Sequence, residues 1–214
     1  MMRKPIIAID GPAAAGKGTL ARRLAATLDL PYLDTGLLYR AVGRRVLDAG
    51  GDPADAGTAD QAARALQPMD LQRNDLRGPV ADAAAAAVAS IPAVRNALLS
   101  FQRSFGAEHG AVLDGRDIGT VIFPEAPAKL FVTASLAERA RRRWLELQQK
   151  GDDTPLATVE QDMRDRDAKD AARAAAPLRA AADAFVLDTT EMDAEAAFRV
   201  ALREVRDRLS GCAR

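Results

Sequence analysis

The chain has 214 residues, with 30 basic and 30 acidic side chains and so no formal net charge. That length supports a sizeable core in one or two domains. The balanced charge argues against a general nucleic-acid binder, which usually needs a basic face, while leaving room for a local anion site. Hydrophobic residues make up 48% of the chain but aromatics only 4%, so Ala, Leu and Val must build the interior, and alanine runs such as residues 83–88 read as helix. The single cysteine, Cys212, excludes an internal disulfide framework and points to a reducing, cytoplasmic compartment. The opening MMRKPIIAIDG has too short an apolar run for a signal peptide. No stretch approaches the roughly 18 to 20 apolar residues of a membrane helix.

Taken in chain order, residues 4–10 are almost unbroken in their apolarity, as a strand buried on both faces of a parallel sheet requires. Residues 17–29 form a helix with Leu20, Leu24 and Leu28 on one face. Residues 30–33 make a short second strand, and a helix runs from about 37 to 48, ended by AGGDPADAG. Residues 58–67 and 79–105 read as helical, split by LQPMDLQRNDLRG. AVLDGRDIG supplies a strand and turn from residue 111, and residues 129–135 another strand. SLAERARRRWLELQQKG is a helix, followed after a polar loop by a charged helix over 155–172. Residues 184–190 form the last strand, and a final helix covers about 193–209. The alternation is that of an α/β domain with extra helices between its second strand and AVLDG.

GPAAAGK, residues 11–17, separates the first strand from the first helix. A loop in that place can wrap backbone N–H groups around a polyphosphate, aided by the helix N-terminus. Gly11 and Gly16 permit close approach, and Lys17 reaches the outer phosphates. The usual pattern has Ser or Thr directly after the lysine; here Gly18 stands there and Thr19 follows. The donor-binding set is thus Gly11, Pro12, Ala13, Ala14, Ala15, Gly16, Lys17, Gly18 and Thr19. The competing interpretation is a merely tight turn.

Three further blocks carry chemistry. In DTGLLYR, Thr35 suits a hydrogen bond to a ribose and Arg40 a planar grip on a phosphate, although Asp34 and Thr35 equally suit a helix cap and Tyr39 suits packing. Asp114, Arg116 and Asp117 of DGRD follow a strand, where ligands gather in open α/β sheets; a surface ion pair is the alternative. In MRDRDAKDAAR, Arg166, Asp170 and Arg173 fall at i, i+4 and i+7 on one helix face. That face either closes over phosphates or is simply solvated. RARRRW, residues 139–144, precedes a polar lid segment at 148–160, and Arg142 or Arg143 approaches the donor. Trp144 reads as packing and His109, the only histidine, as surface.

GPAAAGKGTLARRLA resembles the nucleoside monophosphate kinases. YLDTGLLYRAV, LDGRDIGTVIFPEAPAKLFVTAS and RDRDAKDAARAAAPL narrow the resemblance to bacterial cytidylate kinases. It implies a three-layer α/β/α P-loop kinase with a central parallel sheet, a helical acceptor-binding insert and a short lid. The core is then 1–38, 106–147 and 174–214, the insert 39–105 and the lid region 148–173. The implied reaction moves the terminal phosphoryl group of ATP, with Mg2+, onto CMP or dCMP, with no protein metal site, no nucleic-acid polymer and no membrane, in a cytoplasmic monomer. Lys17, Arg116, Arg166 and Arg173 are the implied catalytic residues. Thr35, Tyr39, Arg40, Arg95, Arg116, Asp117, Arg166, Asp170 and Arg173 are the implied acceptor set. Within it Arg116, Arg166 and Arg173 meet phosphates, Asp170 the ribose, and Asp117 and Arg95 the cytosine. No general base is required, because alignment and charge stabilisation carry such transfers.

The chain departs from that family at Thr35 and at Ala86, both serine in relatives, and in its short insert QRNDLRGPVAD. A kinase of another small acceptor, and a slow nucleotide-dependent switch, are the competing functions.

Overall fold

The computed structural model describes residues 4–211, so Cys212 lies outside the described residues. The chain forms two compact units. One comprises the chain up to Leu33 and from His109 onward, and the other is Asp34–Glu108.

The first unit is built on a five-stranded sheet whose strands are β1 (Ile6–Asp10), β2 (Tyr32–Asp34), β3 (Ala111–Gly115), β4 (Ala128–Thr133) and β5 (Phe185–Asp188), in the order β2-β3-β1-β4-β5. β1 runs parallel to both neighbours, with Ile6 opposite Ala111 and Ile7 opposite Ala128, and β5 runs parallel to β4. The apolar run of β1 is buried because it is the central strand. Ile7, Ile9, Val112, Leu130 and Val132 present one face to α1 (Lys17–Leu28) and α8 (Ala194–Gly211), whose Leu20, Leu24, Ala201 and Val205 complete that core. Alternation along β1 sends Ala8 and Asp10 to the opposite face. There Asp10 meets a short π-helical turn, Ile118–Ile122, which follows β3. Two further helices, α6 (Leu136–Gln148) and α7 (Leu156–Ala171), pack on each other through Ala140, Val159 and Met163, with Trp144 against them. This is the expected α/β class with a central parallel sheet.

The second unit is helical: α2 (Thr35–Asp48), α3 (Ala56–Arg64), α4 (Pro79–Ala89) and α5 (Pro92–His109), with a 3-10 turn at Pro68–Gln72. Alanine is what lets α2 and α4 approach. A Cβ placed on Gly43 would lie 2.7 Å from that of Ala84, so only small residues fit the crossing. The single helix expected over 79–105 is two helices, bent by 98° at a break between Ala89 and Pro92. Pro92 disfavours helical geometry at Ile91, which ends the first helix, and is itself suited to open the second. Among the described residues no single helix is long and apolar enough to cross a membrane.

Candidate active site

β1 ends on Asp10, and the next residue turns the chain out of the sheet. Gly11 has φ 146°, and a Cβ there would sit 1.9 Å from the Val132 carbonyl oxygen of β4. No side chain fits, so the glycine is dictated by backbone contact with the sheet. Ala14 and Gly16 also have positive φ, at 57° and 87°. Ala13 and Ala14 pack beside Trp144 and the α6–α7 core, which explains small apolar residues in the loop. The loop closes on Lys17, the first residue of α1. It is 7% exposed, and its ammonium donates to the Pro12 carbonyl at 3.0 Å. Burial of a lysine across the mouth of its own loop places a positive charge among backbone groups at a helix N-terminus, the arrangement that polyphosphate recognition needs.

The glycine that breaks the usual pattern has a local cause. A Cβ on Gly18 would lie 3.2 Å from the Asp114 carboxylate and 3.7 Å from the Tyr32 hydroxyl, which themselves hydrogen-bond at 3.1 Å. A side chain there would press on that pair, which would have to give by a few tenths of an ångström. Thr19 is exposed one position further along.

The DGRD segment spans the C-terminal end of β3. Asp114 and Asp117 are buried, and Arg116 donates through Nε to Asp170 at 2.9 Å and through Nη1 to its neighbour's carbonyl, Gly115, at 3.2 Å. The other carboxylate oxygen of Asp170 accepts from Arg173. Burial alone would push the Asp170 carboxyl up. The guanidinium charges of Arg116 and Arg173, the bond to Arg116 and the charge of Arg166 outweigh it and hold the group below its ordinary value. Arg116, Arg166, Asp170 and Arg173 are therefore one electrostatic cluster. One expectation needs correction: the three α7 positions do not share a helical face, because α7 ends at Ala171. Arg173 lies beyond the helix and reaches back to Asp170.

In the second unit, Asp34 stands at the N-cap of α2 without making a side-chain cap bond, and Thr35 is a buried first helical residue. The Arg95 guanidinium lies 5.8 Å from the centre of the Tyr39 ring, and Arg40 pairs with Asp82 at 3.0 Å. Tyr39 is thus a partner for an arginine as well as packing. Ala86 and His109 are exposed.

Two residues passed over in the sequence prove structurally central. Arg139, 5% exposed, donates to the Ala134 carbonyl at 2.9 Å, to Ala13 in the loop at 3.4 Å, and through both terminal nitrogens to Asp167 of α7 at 3.2 and 2.7 Å. It ties the loop to the helix that carries Arg166 and Asp170. Arg142 instead braces Glu138 and Thr189, and Arg143 meets Glu146. In RARRRW nothing distinguishes the first arginine by composition; only the helical phase that turns it inward does. The second residue is Asp10, whose two carboxylate oxygens accept from the Ile118 and Gly119 N–H groups, each at 2.7 Å. An acid closing an apolar strand was its one signal in the sequence.

A glycine turn off the central strand, a buried lysine opening the next helix and a parallel sheet define the class: this is a P-loop phosphotransferase fold. The cytidylate kinase family model matches residues 7–207. The chain is 62% identical over 201 residues to the cytidylate kinase of Acidiphilium cryptum, covering 94% of this chain and 95% of that one. With the cytidylate kinase of Granulibacter bethesdensis the identity is 61%, over 94% and 96% of the two chains. The protein belongs to the cytidylate kinase family. Among solved structures, an uncharacterized protein from Eubacterium ventriosum superposes with a TM-score of 0.58 at 15% identity, over 95% of this chain and 99% of that one, a likeness of fold.

Proposed function

We propose that the protein transfers the terminal phosphoryl group of ATP to CMP, and also to dCMP, giving ADP and CDP or dCDP. The observation that carries this is the arginine cluster of the first unit, in which Arg116 and Arg173 converge on one buried carboxylate, Asp170, in the same unit as the loop closed by Lys17. Membership of the cytidylate kinase family supports the choice of base.

In this assignment the backbone of residues 11–19 holds the donor phosphates, and the Lys17 ammonium follows the migrating group. Arg116, Arg166 and Arg173 hold acceptor and transferring oxygens, where fixed positive charge stabilises the spread negative charge of the transition state. Asp170 orients two of those arginines and takes the acceptor ribose. Thr35, Tyr39 and Arg40 are assigned to the acceptor, and Asp117 and Arg95 are each assigned to the base. A carboxylate suits cytosine because it only accepts, and the cytosine amino group donates.

Magnesium bound with the nucleotide would supply charge neutralisation at the donor phosphates, with Thr19 the residue placed to help hold it. It commonly keeps several waters and uses few protein ligands, which fits the exposed Thr19 hydroxyl as a contact through water. Among the described residues no group of three His, Cys, Asp or Glu forms a metal cage, and a metal carried by the nucleotide needs none. Monomeric working and a reducing cytoplasm are what the family resemblance and the single cysteine imply.

The test is ADP release from ATP with a panel of nucleoside monophosphates. CMP and dCMP should give the highest kcat/KM. Equal use of purine acceptors, or ADP release indifferent to any acceptor, would overturn the proposal.

A further inference from the structure

Asp10 lies at the junction of two segments that the proposed reaction must hold in register. On its C-terminal side the chain enters the phosphate loop through Gly11, which the Val132 carbonyl admits only without a side chain. Across the sheet Asp10 pairs with Gly115, the residue before Arg116. Its carboxylate then captures the two amides that follow Asp117, one on each oxygen. The Asp117 carbonyl meanwhile accepts from Val121 and Ile122, at 2.9 and 3.2 Å. The main chain of Asp117 is therefore clamped on both sides, and one clamp is the last residue of the strand that launches the phosphate loop.

A carboxylate is suited to this place. Both oxygens face N–H groups, and only an acceptor on each satisfies both. Asparagine would turn an NH2 group toward one of the amides and leave it stranded in a buried site. Serine could serve only one. The choice carries a cost: burial pushes the Asp10 carboxyl up to about 6, the two N–H bonds opposing, with the nearby Asp117 charge adding to the rise and Lys17 countering it.

We propose that Asp10 is a positioning residue for phosphoryl transfer: through Ile118 and Gly119 it fixes Arg116 and Asp117 relative to the phosphate loop. This rests on the function proposed above. Misalignment of reacting groups by an ångström or less is expensive in rate but cheap in binding, so loss of Asp10 should act on turnover and on base choice, and little on the donor.

The test uses Asp10→Asn in the full chain. Steady-state kinetics with CMP and with UMP are compared with wild type, alongside equilibrium binding of a non-hydrolysable ATP analogue and the melting temperature. The expected result is a fall in kcat of about tenfold or more and a narrower CMP-to-UMP ratio of kcat/KM, with analogue affinity within about threefold of wild type. A folded variant with unchanged kcat and ratio overturns the proposal. So does one that loses analogue affinity in step with turnover, since Asp10 would then shape the loop itself. Asp10→Ser carries the same comparison if the asparagine variant does not fold; if neither folds, Asp10 serves only the fold and the proposal falls. Wild type inactive on CMP overturns the function proposed above, not this role, and the comparison then moves to whichever acceptor the nucleotide panel identifies.

Discussion

Lys17 and Asp117 are both charged and nearly buried, a placement that costs folding energy and invites a functional explanation. Lys17 bonds a carbonyl of its own loop, so its removal should leave the fold standing. We expect Lys17→Ala to lower turnover by about a hundredfold, as loss of about 2 to 3 kcal/mol of transition-state stabilisation implies, with the melting temperature little changed. A steady-state assay on folded variant checks this, and a loss below tenfold contradicts the role. Asp117 is expected to set the preference of CMP over UMP. UMP presents a carbonyl where CMP presents an amino group, and a carboxylate facing that carbonyl would be unpaired and repelled. Asp117→Ala should narrow the ratio of kcat/KM chiefly by damaging CMP use. Wild-type indifference to the base, or a variant keeping the full ratio, would remove Asp117 from that task. The alanine at position 86, exposed on α4, offers no hydroxyl to help.

At the scale of elements, α7 is the test case. Its sequence of alternating charge is that of a solvated face, yet Asp170 is 3% exposed and Arg139 holds Asp167 from α6. Arg173→Ala is expected to reduce turnover strongly and to cost about 1 to 3 kcal/mol of stability, since it leaves one oxygen of a buried carboxylate unpaired while Arg116 still binds the other. Turnover and melting temperature measured on the same preparation decide; unchanged turnover would leave Arg173 only as an ion-pair partner of Asp170. What the sequence made legible follows from range. The strands, the loop and most helices were readable, because apolar period and glycine spacing are local. The break before Pro92 is also local, marked only by the proline itself. The end of α7 at Ala171, the inward turn of Arg139 and the grip of Asp10 on Ile118 and Gly119 were not readable. Each depends on a partner from another element, and no periodicity within a segment encodes that. Gly18 shows the same limit: the pair that crowds its Cβ position, Tyr32 and Asp114, has one partner far away in sequence.

For the molecule as a whole, the acid–base balance of stability follows from where the carboxylates lie. Asp10 has its folded value raised from 3.8 to about 6, so its contribution is fully present below the unfolded value and is lost as pH rises through 6. Asp170, held low by its arginines, acts in the opposite sense: its contribution is present above the unfolded value and lost as pH falls. Urea unfolding of wild type and Asp10→Asn across pH 4 to 7 separates the two, because Asp170 is common to both. Wild type should lose about 2 kcal/mol relative to the variant over that span; a flat difference would mean that Asp10 is not raised.

The pairing of Ile6 with Ala111 has a consequence on the ribosome. β1 is made first, but its two neighbours in the sheet follow only after the whole of Asp34–Glu108 has been synthesised, some seconds later at cellular elongation rates of about 5 to 20 residues per second. During that interval an apolar strand, IIAID, has no native edge to join, while the helical unit that delays it has all of its own chain available and local contacts to collapse on. The nascent protein thus completes its inserted part before the part that encloses it, and the exposed first strand is where a holdase chaperone would find its target.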